Sequence, residues 1–130
     1  LLESVGQGTP RDNLKTAISA LLKELAKFIP KLMVLEGQGA HRPPRGPKAP
    51  PIEDAATIAN YLKQEVKAGR LQMDCFELHG HEMVGAVVHY TMLTHRHQTK
   101  VCSPNRLAQH LVDVHLGPPK TTTPKSRSSK

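Results

Sequence analysis

Both cysteines and seven of the eight histidines fall between Cys75 and His115. In order they are Cys75, His79, His81, His89, His95, His97, Cys102, His110 and His115. Thiolate and imidazole are zinc ligands, and structural zinc takes four N or S donors in a tetrahedron, usually as close pairs. Imidazole also titrates near neutral pH. The window therefore has two readings: a structural zinc site, or histidines that border helix surfaces. The first draws on Cys75, Cys102, His110 and His115 as candidate ligands, with His79 or His81 beside Cys75 and His95 or His97 beside Cys102. The expectation is no cofactor, with zinc as the alternative.

Within that window, Leu107, His110 and His115 resemble the second half of a classical zinc finger, but no C-x2-C lies upstream to complete it. Catalytic patterns are also missing. There is no Gly-rich phosphate loop, no G-x-S-x-G and no H-E-x-x-H. Cys75 sits in an alternating stretch (Leu71, Met73, Cys75), which predicts a buried and inert thiol. Cys102 directly precedes a helix start, where the dipole lowers a thiol pKa. The expectation is a protein that is not an enzyme.

The elements that must position these residues are helices. Thr9-Pro10 is a cap followed by a first-turn proline, and Leu14, Ile18, Leu21, Leu22, Leu25, Ile29 and Leu32 follow at spacings of three and four. Pro30 lies inside that stripe and predicts a kink or break near Phe28–Ile29. A second helix is expected from Ile52 to Ala68, burying Ala55, Ile58, Ala59, Leu62 and Val66 with Tyr61 beside them. Its small alanines would let a neighbour come close. Leu71 to Leu78 alternates like a short strand, and His79-Gly80-His81 breaks the pattern. Met83 to Thr99 reads as a third helix, with a strand as the competing reading. Ser103-Pro104 opens a fourth, which Gly117 closes.

The segments between and beyond the helices carry the charge. Residues 37–51 hold five prolines, three glycines and no large apolar side chain, the composition of a linker. Residues 120–130 are basic and of low complexity. Arg42, Arg45 and Lys48 in the linker, with Lys120, Lys125, Arg127 and Lys130 in the tail, equal the whole net charge of +7. The remainder is neutral. With only four aromatics, it offers little to a single-stranded nucleic acid.

The chain is thus expected to be mainly α: a small domain of three to four helices, with a short strand near 71–78. Its expected divisions are a disordered segment at 1–8, an amphipathic helix at 9–36, the linker at 37–51, a helical domain at 52–117 and a disordered basic tail at 118–130. An opening on Leu1 suggests a fragment or a subunit of a larger assembly. No signal peptide is visible and no apolar run reaches the ~18–20 residues a bilayer needs. That favours an intracellular setting, cytoplasmic or nuclear, and no membrane. The expected function is docking of another protein through Leu21, Leu25, Ile29 and Leu32 on the first helix. The alternative is association with nucleic acid through Arg42, Arg45, Lys48, Lys120, Lys125, Arg127 and Lys130, joined by Arg106 on the last helix.

Overall fold

The computed structural model describes residues 1–38, 50–97 and 101–117. It contains four α-helices and no strand among the described residues: α1 (Pro10–Gln38), α2 (Pro50–Lys67), α3 (Phe76–His97) and α4 (Pro104–Leu116), preceded by a 3-10 turn at Leu2–Ser4. The fold class is the helical one expected from sequence. Among the described residues, no helix is long and apolar enough to cross a membrane.

The caps read from sequence are formed. Thr9 Oγ1 accepts from the Asp12 amide at 3.1 Å, and Ser103 Oγ from the Arg106 amide at 3.2 Å. At the far end of α2, Gly69 takes φ +79°. Its amide donates to the Val66 carbonyl while the Arg70 amide donates to the Glu65 carbonyl. These paired reverse bonds satisfy two orphan carbonyls and need a residue that tolerates positive φ.

Four expectations change. Helix α1 runs through Pro30 without the break that the proline suggested. The strand near 71–78 is absent: residues 71–75 have no regular secondary structure, and Phe76 already starts α3. Leu71 and Met73 are half-buried against the core, which produces the alternation without any partner strand. The first eight residues are not loose. Asn13 Nδ2 donates to the carbonyls of Ser4 and Gln7, and the Arg70 guanidinium to those of Gln7 and Gly8. Finally, α1 is not a separate unit joined by a linker, because it packs against both α3 and α4.

The core is shared by all four helices. Leu14, Ile18, Leu21, Leu22 and Leu25 of α1 meet Met83, Val84 and Val87 of α3 and Ala108, Leu111 and Val112 of α4, while Ala55, Ile58, Tyr61 and Leu62 of α2 close the far side. Helix α2 lies along α3. There Gly80 is the contact point: a Cβ at that position would stand 2.4 Å from the Ala55 carbonyl oxygen and 3.4 Å from the Ala59 amide. The glycine read as a pattern break is therefore what lets α3 approach the small face of α2.

One buried polar network accompanies this core. Glu65 is 0% exposed. It accepts from Tyr61 Oη at 2.6 Å, from Arg70 Nε and Nη2 at 2.9 Å each, and from the Gly6 amide at 3.2 Å. Asn13 Nδ2 donates to Tyr61 Oη at 3.0 Å. Hydrogen bonds from Arg70 outweigh burial and hold the Glu65 carboxyl down at about 2. Burial and the bond to Glu65 push the Tyr61 phenol up to about 12.

Candidate functional site

The four sequence-nominated metal ligands do not converge. Cys75 is exposed, not buried, and has φ +53° just before α3. A hydrogen bond with Asp74 and that carboxylate's charge push its thiol up, away from a reactive thiolate. Cys102 is half-buried and precedes α4, so it stands roughly 20 Å along the helix axis from His115. His110 and His115 lie five residues apart, about 140° around the helix. Accordingly His110 is exposed while the His115 side chain is only 6% exposed.

His115 finds other partners. Its Nδ1 lies 2.7 Å from His79 Nδ1, with the rings nearly perpendicular at 80°. Glu82 Oε1 is 3.9 Å from the same nitrogen. The three residues offer ligand atoms that all fall within 4.8 Å of one another, the one such group of three or more among the described residues. The helices explain the meeting. His79 and Glu82 are i and i+3, hence neighbours on one face of α3, and His115 occupies the last turn of α4. Two imidazolium ions cannot face each other at 2.7 Å. Two neutral rings satisfy this contact when one donates its Nδ1 proton and the other accepts. Burial first, and the neighbouring His79 second, lower the pKa of His115 below its usual value. Sequence reasoning passed over Glu82 because residues 79–81 were read as a break. Once they are helical, the His-x-x-Glu spacing is the visible signal.

The docking stripe proposed on α1 also resolves differently. Leu21 and Leu25 are 7% and 0% exposed and belong to the core, because the stripe that periodicity reveals is the one α3 and α4 cover. The side chains of Ile29 and Leu32 lie outside the described residues. Beside that stripe, however, an open groove of about 610 Å³ runs between α1, the end of α3 and the start of α4. Its lining includes Leu22, Lys23 and Ala26 of α1, Tyr90 and Thr94 of α3 and Asn105 of α4. The Thr94 hydroxyl is buried there without a hydrogen-bond partner. Among the described residues, no carboxylate lines the groove.

Of the nucleic-acid candidates, only Arg106 is among the described residues; Arg42, Arg45, Lys48, Lys120, Lys125, Arg127 and Lys130 lie outside them. Arg106 is exposed and borders a polar hollow of about 450 Å³ with Lys15, Asn105, Gln109, His110 and Asp113. Three of these groups are already engaged: Gln109 accepts from Lys15 Nζ at 3.1 Å, and Asp113 is paired with Arg11. No protein-family model, curated protein or solved structure matches this chain.

Proposed function

We propose that this chain is a non-catalytic helical module that docks an apolar segment of another protein, flanked by acidic residues, in the groove between α1, α3 and α4. The groove itself carries the reading. It presents apolar atoms from three helices, and helix-binding grooves of this kind take a partner's i, i+3 and i+4 side chains. Its charge selects the occupant. Lys23 lines it, Arg106 stands exposed one residue beyond Asn105, and among the described residues no carboxylate lines it. An acidic rim on the partner would complement this charge and raise its association rate.

The test is a panel of amphipathic helical peptides with acidic or basic flanks, read by NMR shift mapping and fluorescence anisotropy. Acidic-flanked peptides should shift the resonances of Ala26, Thr94 and Asn105. Ala26→Trp, at an exposed position inside the groove, should block them without touching the core. Lys23→Glu should weaken them at low salt and less so at high salt. Equal binding of basic-flanked peptides, or shifts confined to another face, would remove the basis for this function.

A further inference from the structure

We propose that His79, Glu82 and His115 form a divalent transition-metal site, of the class zinc occupies, that clips the last turn of α4 to the first turns of α3. Two imidazoles and one carboxylate are a donor set suited to zinc, with a fourth position left for water. The geometry is nearly assembled. All three ligand atoms lie within 4.8 Å of one another, and the two Nδ1 atoms already face each other at 2.7 Å. Tetrahedral zinc with Zn–N bonds of 2.0–2.1 Å needs those nitrogens about 3.3 Å apart, so the rings must part by roughly 0.6 Å. The ring that donates its Nδ1 proton must move that proton to Nε2, which leaves two neutral imidazoles with both Nδ1 lone pairs free. No net proton is released from the histidines in that step. Glu82, 53% exposed, closes the site on the solvent side, where water can complete the coordination.

The location gives the site a purpose. Helix α4 packs chiefly on α1, while α3 packs on α1 and α2. The His79–His115 pair joins α3 to α4 directly at the end where α4 stops. A metal there would fasten the C-terminal turn of α4 to α3, beside the Arg11 contacts that tie it to α1. This differs from a zinc-finger arrangement, since neither cysteine nor His110 takes part.

The experiment uses the full chain with Zn2+ in a calorimetric titration and Co2+ as a spectroscopic probe. One Zn2+ per chain is expected, with Co2+ absorption in the visible and no thiolate charge-transfer band. Glu82→Gln should weaken Zn2+ binding about tenfold or more, since even outer-shell partners of a metal site are worth 10–100-fold. Its exposure means that this variant keeps the fold, so the readout survives if His115→Gln proves unstable. His79→Gln should weaken binding at least as much, and His110→Ala and Cys75→Ser should not. Absence of stoichiometric binding would overturn the proposal and leave the two imidazoles as a hydrogen-bonded pair. So would unchanged affinity in the Glu82 and His79 variants, or a thiolate band with Co2+.

Discussion

Arg70→Ala tests the buried network most directly. The substitution removes two hydrogen bonds to Glu65, both at 2.9 Å, and two to the Gln7 and Gly8 carbonyls, both at 2.7 Å. The larger effect is on what remains. Glu65 is 0% exposed, so its carboxylate would keep only Tyr61 Oη and the Gly6 amide as donors. Breaking a buried pair from one side costs about 3–5 kcal/mol. The depressed acidity leads to a similar magnitude: a fall from 4.5 to about 2 corresponds to about 3 kcal/mol. The pH dependence has a fixed sign. A lowered carboxyl pKa contributes stability that is complete above the unfolded value of about 4.5 and lost as pH falls toward 2. In Arg70→Ala the burial effect dominates, Glu65 protonates more readily in the folded state, and this acid-induced loss should vanish or reverse. Urea unfolding followed by circular dichroism at pH 7 and pH 3 measures both quantities. The double variant Glu65→Gln/Arg70→Ala should recover part of the loss, because it leaves no buried charge. A cost under about 1 kcal/mol at pH 7, the range of exposed ion pairs, together with an unchanged acid limb, would refute the reasoning.

Further outcomes follow from other contacts. Gly80→Ala should destabilise by about 1–3 kcal/mol or more, since its Cβ would meet backbone of α2 that cannot rotate away, whereas Gly85→Ala, with open space around it, should stabilise by about 0.4–1 kcal/mol; paired thermal melts decide. Asp54 has its pKa raised to about 6 by burial and by the nearby carboxylates Glu24 and Glu53, and its Oδ2 is buried without a partner. Its folded pKa exceeds its unfolded one, so stability should rise as pH falls from about 6 to about 4, and Asp54→Asn should raise the melting temperature at pH 7 but not at pH 4. If nucleic acid were the partner instead, deleting residues 120–130 would remove four cations and flatten the log–log salt slope of binding by about 3.6, measured by anisotropy.

Local signals in the sequence carried much of this fold. Thr9-Pro10, Ser103-Pro104, Gly69 and Gly117 mark helix ends because capping is settled within a few residues. The stripe from Leu14 to Leu25 likewise reveals a buried face. It does not reveal what covers that face, so Leu21 and Leu25 were open to reading as a partner's contact when α3 and α4 cover them. Gly80 shows the same limit, since its value lies in Ala55 and Ala59 on another helix. The network at Glu65 was invisible for a related reason: a charged residue on a helix reads as solvent-facing until Tyr61, Arg70 and Asn13 are brought around it. Of the candidate metal ligands, His115 and, weighed only as a companion to Cys75, His79 belong to the cluster found. His79 and Glu82 come to it through a contact 36 residues apart in the chain, which no spacing rule within one helix encodes.

The way α4 is seated also sets an order on folding. Arg11 on the first turn of α1 reaches Asp113 and the Gly117 carbonyl, 102 and 106 residues away, and Lys15 reaches Gln109 across 94 residues. Helices α2 and α3, by contrast, are sequence neighbours and can zip together locally. Closing the long loop between α1 and α4 costs entropy before its contacts repay it, so this pairing belongs to the late, slow part of folding. During synthesis the apolar stripe of α1 stays uncovered on one side until residue 117 has emerged. A chain arrested before α4 therefore leaves the part of the α1 stripe that α4 covers open to solvent, and chaperone capture or aggregation of such truncated chains is the expected result.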